Sequence, residues 1–256
     1  MAVAAFFDLD KTIIAKSSAL AFTKPLYRAG YLSRTTLAKA AIGQAYYQAF
    51  GADHGQMERV KEELSKLTAG WRRDEIVKLV DETVDQVVTP LVYSDALTII
   101  DQHRRVGRRV VVISSSPEEI VVPLCRYLAI DEVIATRAEI DDDGRYTGEI
   151  AFYAYGPAKA EAIREMAARE SIDLPASFAY SDSVTDLPML EAVGNPVAVN
   201  PDSDLLKIAT ERDWEIRWFE SAVTLRDRVG KAAPGVAIAG GIAAAAVYVA
   251  LKRRKR

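Results

Sequence analysis

The chain has one cysteine, Cys125, in 256 residues. That excludes an internal disulfide and any metal site built from several cysteines. Only two histidines occur, His54 and His103, which argues against a His-rich metal site. The start, MAVAAFFDLD, lacks a basic stretch and reaches two acids by residue 10, so it does not read as a secretory signal. Acids are missing after Gly230, where the six charges are all basic: Lys231, Lys252, Arg253, Arg254, Lys255 and Arg256. Removing those six from the net −3 leaves −9 for residues 1–230. An acidic body argues against broad nucleic-acid binding, so nucleic acid is not expected as a partner. Apolar residues are plentiful. At 50% hydrophobic and 27% charged, the chain builds a real core and is not globally disordered.

Residues 2–9 (AVAAFFDL) read as a short buried strand ending in acids. Residues 15–88 read as helical, with a break at Gly30 and N-caps at Ser33 and Asp53. Strand–helix alternation then begins. DALTIIDQHRRVG is a helix closed by Gly107. RRVVVIS is a strand of continuous β-branched residues, the mark of a sheet buried on both faces. Pro117 is expected near the first position of the next helix, where a missing N–H costs nothing. DEVIAT reads as a strand and RAEIDDDGRYTGEIAF as a hairpin around Asp143-Gly144. GPAKAEAIREMAARE, SFAYSD, VTDLPMLEAVG and NPVAVN continue as helix, strand, helix, strand. This alternation predicts an α/β fold with a doubly wound parallel sheet.

Four motifs fall at predicted strand ends. Asp8-Leu9-Asp10-Lys11-Thr12 follows the first strand. Two adjacent carboxylates repel, so they favour a divalent cation or a shared proton; turns and helix caps also produce this pattern. Ser114 ends RRVVVIS, where a hydroxyl and exposed N–H groups suit an anion. Simple N-capping by Ser115 or Ser116 fits the same turn. Lys159 follows Gly156-Pro157 in the first turn of a helix. Tyr180-Ser181-Asp182-Ser183-Val184-Thr185-Asp186 again sets an acid after an apolar strand, with a second acid four residues on. Ligands of open α/β sheets bind outside the carboxyl ends of strands.

In this order and spacing the set resembles the haloacid dehalogenase-like phosphohydrolases, over roughly residues 4–220. Within them it is similar to the branch containing phosphoserine phosphatase. The resemblance implies a core of residues 1–14 and 89–230 with a helical cap, residues 15–88, inserted after the first strand. It implies Asp8 as the nucleophile forming an aspartyl-phosphate and Asp10 as the general acid/base. It implies Mg²⁺ on Asp8, Asp10 (through its backbone carbonyl), Asp182 and Asp186. Ser114 and Lys159 would hold phosphoryl oxygens, and Thr12 would orient Asp10.

The chain also departs from that branch. The phosphoserine enzymes carry glutamate seven residues after the second aspartate, where Ser17 stands here. Their glycine pair after the serine is Ser115-Ser116 here. Ser181 replaces a glycine before Asp182, a change that is expected to touch no proposed ligand. Phosphoserine is therefore one candidate among several phosphomonoesters.

Between Lys231 and Lys252 lie twenty uncharged residues. As a helix, residues 232–251 would match the hydrocarbon thickness of a bilayer, about 30 Å. An apolar helix with a basic end is thus expected over residues 231–256. It suggests a cytoplasmic catalytic body held at a membrane, and a lipid phosphate as an alternative to a small phosphorylated molecule. The leading expectation is a Mg²⁺-dependent phosphomonoester hydrolase. A phosphotransferase or phosphomutase, and a membrane-tethered binding module without turnover, are the alternatives.

Overall fold

The structure, a computed structural model, describes residues 1–36, 65–130 and 132–219. Its strands are β1 (Ala4–Phe7), β2 (Arg109–Pro117), β3 (Glu132–Ile140), β4 (Tyr146–Phe152), β5 (Phe178–Ser181), β6 (Asn195–Val199) and β7 (Glu215–Arg217). They form one seven-stranded sheet in the order β4-β3-β2-β1-β5-β6-β7. Every neighbouring pair is parallel except β3 and β4. The chain passes from β1 outward to β2 and β3, then returns to the other side of β1 with β5. That reversal opens a crevice beside the end of β1.

The helices are α1 (Ser18–Ala21), α2 (Thr23–Arg28), α3 (Arg73–Val88), α4 (Ser94–Arg105), α5 (Glu118–Tyr127), α6 (Pro157–Glu170), α7 (Leu187–Leu190) and α8 (Ser203–Glu211). Two clusters of buried side chains sandwich the sheet. Ala5, Phe7, Val110, Val112, Tyr180 and Val197 face α3, α4 and α5, meeting Val80, Ile99, Ile100 and Leu124. Ala4, Phe6, Val111, Ile113, Ala179 and Ala198 face α6, α7 and α8, meeting Ile163, Met189 and Leu205. Successive strand residues point to opposite faces, so a strand covered on both sides must be apolar at every position. That is why VVVI and AAFF carry no polar residue.

The doubly wound parallel sheet is as the sequence predicts. Some local expectations change. DEVIAT and RAEI are one continuous strand, β3, whose far half pairs with β4. Pro117 is the N-cap of α5, with φ −60° and ψ 140°, and is not the first helical residue. Ser115 and Ser116 belong to β2 and do not cap α5. Ser33 behaves as a cap, its Oγ accepting from the Thr36 N–H at 3.1 Å.

Helix α3 buries Val80, Val84 and Val88 in the same cluster as β1 and β2. The chain entering it is tied to the β3–β4 turn. Gly70 N–H donates to Tyr146 O (2.8 Å), Tyr146 N–H to Trp71 O (3.0 Å) and Arg73 N–H to Gly144 O (3.0 Å). The expected apolar helix over 231–256, and the expected helices over 37–64 with the cap at Asp53, lie outside the described residues. Among the described residues no helix is long and apolar enough to cross a membrane.

Candidate active site

Asp8 follows β1 directly, and its N–H donates to Tyr180 O of β5 at 2.9 Å. This bond holds the residue at the sheet's reversal point. The side chain is buried, at 6% exposure. Lys159, in the first turn of α6, reaches it: Nζ donates to Asp8 Oδ1 and to Asp186 Oδ2, both at 2.7 Å. Gly156, with φ 55°, supplies the left-handed backbone at the N-cap of α6. Asp186 is presented by the turn after β5, and Ser181 Oγ donates to the same Oδ2 at 2.7 Å. Sequence reasoning thus misjudged Ser181. Its hydroxyl touches a proposed ligand, because the turn Ser183–Asp186 folds back over the strand end.

Asp182 lies in the same crevice, 3.7 Å from Lys11 Nζ. Ser114 is buried in β2, two residues past Val112, the partner of Phe7. Its Oγ accepts from the Ser116 N–H at 3.2 Å. Asp10 is held by three serines: Ser18 N–H donates to Oδ1 at 2.8 Å, Ser116 Oγ donates to Oδ2 at 3.1 Å, and Ser17 adds a side-chain bond. Thr12 does not orient Asp10. Its Oγ1 is buried without a hydrogen-bond partner among the described residues, while its N–H donates to Leu9 O at 3.4 Å. Ser18 and Ser116 were missed by sequence reasoning. The signal was the run of three serines where the related branch has glycines, and a buried serine early in the insert.

The electrostatics follow from gathering Asp8, Asp10, Asp182 and Asp186 around the buried Lys159, with Lys11 beside Asp182. Burial pushes the Asp8 carboxyl up to about 7, with Asp186 and Asp10 adding to the rise and Lys159 opposing it. Asp182 is likewise raised by burial and by Asp8. Asp10 is raised by burial, against the hydrogen bonds from Ser18, Ser116 and Ser17. Burial alone would lower Lys159, but Asp186 and Asp8 outweigh it and hold the ammonium charged. Lys159 and, at Asp182, Lys11 oppose these rises without cancelling them.

That donor set suits a hard divalent cation. Carboxylate and carbonyl oxygens are the preferred ligands of Mg²⁺, which keeps several waters and needs few protein groups. Among the described residues no three acidic, His or Cys side chains form a closed metal cage. The expected set takes the carboxylates of Asp8, Asp182 and Asp186 with the Asp10 carbonyl, and here Asp186 Oδ2 is engaged by Lys159 and Ser181. A cation there would also offset the repulsion that raises Asp8 and Asp182.

The family model for haloacid dehalogenase-like hydrolase matches residues 5–191. A probable phosphatase of Mycobacterium tuberculosis is 50% identical over 257 residues, covering 98% of this chain and 89% of that protein. A phosphoserine phosphatase of the same organism is 32% identical over 269 residues, covering all of this chain and 82% of that one. A solved structure of a protein of unknown function from Bordetella pertussis Tohama I is similar over 85% of this chain and 98% of its own. Its TM-score is 0.73 at 26% identity.

Proposed function

The chain belongs to the haloacid dehalogenase-like hydrolases and is a phosphatase of that family, and from that premise we propose that it hydrolyses phosphomonoesters through an aspartyl-phosphate on Asp8. One observation carries the reading: Lys159 bridges Asp8 and Asp186 at the sheet's reversal point while Asp10 is separately held beside them.

Asp8 is the nucleophile. Its carboxylate attacks phosphorus, and the bond from phosphorus to the leaving oxygen breaks. Asp10 gives a proton to that oxygen, releasing the alcohol. A water then attacks the aspartyl-phosphate, Asp10 takes its proton, and inorganic phosphate leaves with Asp8 restored. Lys159 and Ser114 stabilise the phosphoryl oxygens, which gain charge in both steps. Asp8, the Asp10 carbonyl, Asp182 and Asp186 would hold Mg²⁺, which would supply the charge neutralisation that an anionic nucleophile needs to meet an anionic phosphate. Lys159 already compensates part of this charge through its two bonds.

The substrate reading is a small phosphorylated molecule. The relative named as a phosphoserine phosphatase supports phosphoserine. Against it, the half-buried Ser17 beside Asp10 offers no counter-charge for an ammonium group, where the phosphoserine branch has glutamate. A charge-assisted bond of that kind contributes about 1.5–3 kcal/mol.

Purified protein with Mg²⁺ is expected to release phosphate from p-nitrophenyl phosphate. Asp8→Asn is expected to abolish it, by about 10⁴-fold or more, and acid-quenched wild type should carry one phosphoryl group on Asp8. Turnover that survives Asp8→Asn would sink the mechanism. Recovery of the phosphoryl group on an added alcohol, in preference to water, would make the enzyme a phosphotransferase.

A further inference from the structure

Asp10 is gripped from two separate parts of the chain. Ser18, at the start of α1, donates its N–H to Oδ1 at 2.8 Å. Ser116, in β2, donates its hydroxyl to Oδ2 at 3.1 Å. The two serines are joined to each other, Ser18 Oγ donating to Ser116 Oγ at 2.8 Å. Ser116 is further anchored by its N–H on Ser114 Oγ at 3.2 Å. Both are buried, Ser18 at 0% and Ser116 at 6% exposure.

A buried hydroxyl costs free energy unless it is hydrogen-bonded, and an apolar side chain would fill the same space more cheaply. These two hydroxyls end in one chain that points at a carboxylate oxygen. The two Asp10 oxygens accept from different elements, Oδ1 from α1 and Oδ2 from β2, with Ser17 adding a further bond, so the plane of the carboxylate is set. We propose that Ser116 and Ser18 are positioning residues that clamp Asp10 in the orientation its two proton transfers require. The proposal rests on Asp10 being the acid/base. The start of the helical insert and the strand carrying Ser114 are thereby linked through the Asp10 carboxyl itself. Both serines act on the reaction through Asp10.

The clamp matters most where a proton must move. In the first step the Asp10 proton goes to the leaving oxygen as the phosphorus–oxygen bond breaks. An alkoxide needs that proton, whereas p-nitrophenolate leaves without it. In the second step the proton of the attacking water goes to Asp10 whatever the substrate was. Misplacing a catalytic group by about 1 Å costs about a hundredfold.

The test compares full-length wild type, Ser116→Ala, Ser18→Ala and Asp10→Asn, each with Mg²⁺, on a simple alkyl phosphate and on p-nitrophenyl phosphate. Ser116→Ala is expected to lower kcat on the alkyl phosphate by about tenfold to a hundredfold, with KM unchanged. With p-nitrophenyl phosphate it should show a burst of one nitrophenolate per enzyme, because formation of the aspartyl-phosphate survives while its hydrolysis slows. Ser18→Ala keeps its N–H bond to Asp10 and should lose less. Thermal unfolding of each variant establishes that it is folded. Wild-type kcat for both serine variants on the alkyl phosphate would overturn the clamp, as would equal losses on both substrates without a burst. If Asp10→Asn turns over the alkyl phosphate at the wild-type rate, the acid/base reading falls as well. If only Asp10→Asn is impaired, the clamp alone falls.

Discussion

At the residue scale, the molecule places its polar side chains where packing would forbid them unless they were paired. Ser181 is one case: fully buried, it donates to Asp186 Oδ2 alongside Lys159. Ser181→Ala should leave Asp186 less well oriented and raise the Mg²⁺ concentration for half-maximal activity by about tenfold, the lower end for a lost outer partner. A Mg²⁺ titration of activity checks this. His103 is another. Its ring is 4% exposed, packs against Phe7, Phe178 and Tyr180, and bonds Tyr180 Oη at 2.8 Å. Burial, with Arg108 and Arg217, lowers its pKa from 6.5 to about 4. The folded protein therefore favours neutral His103, while the unfolded chain protonates first. This stability is fully present above pH 6.5 and is lost as pH falls towards about 4. It amounts to at most about 3 kcal/mol. Denaturant melts across that window should fall more steeply for wild type than for His103→Gln.

At the element scale, hydrophobic runs and periodicity were enough to locate most strands and helices, but not their joints. β3 absorbs two segments that looked separate, because Thr136 and Arg137 continue the extended backbone from the parallel ladder into the antiparallel one. The turn before β6 shows what a joint demands. A Cβ on Gly194 would lie 1.8 Å from Pro175 O, a backbone atom that cannot rotate away. Gly194→Ala is expected to destabilise by about 1–3 kcal/mol or more through overpacking, read as a lowered melting temperature. Leu124 shows the opposite defect. It is fully buried on α5 in the cluster that includes β1 and α3, so Leu124→Ala should cost about 2–5 kcal/mol through the cavity it leaves.

At the scale of the whole molecule, the sheet brings together residues far apart in sequence. Asp8, Lys159 and Asp186 meet because β1 is central and β5 returns beside it. All the proposed site residues precede residue 190, and the compact unit containing them ends at Thr224. A chain ended at Gly230 should therefore keep phosphatase activity within about twofold, a difference of under 0.5 kcal/mol in barrier. Kinetics of the shortened and full chains check it. The asymmetry of charge, −9 over residues 1–230 and +6 over residues 231–256, falls close to this boundary.

The sequence by itself determined the fold class and pointed to the residues proposed for the site. Strands buried on both faces must be apolar throughout, and acids placed at their ends stand out against that background. Asp8, Asp10, Ser114, Lys159, Asp182 and Asp186 were legible for this reason. The order of the motifs identified the family. Which side chain holds which was decided only by the tertiary structure. The family resemblance implied that Thr12 orients Asp10; in the structure Ser18 and Ser116 bond that carboxylate, the latter 106 residues distant. Ser181 looked incidental until the turn after β5 brought Asp186 back over it. A hydrogen bond is directional and short-ranged, so its partners depend on angles and distances within tenths of an ångström. No local pattern of residue types encodes those.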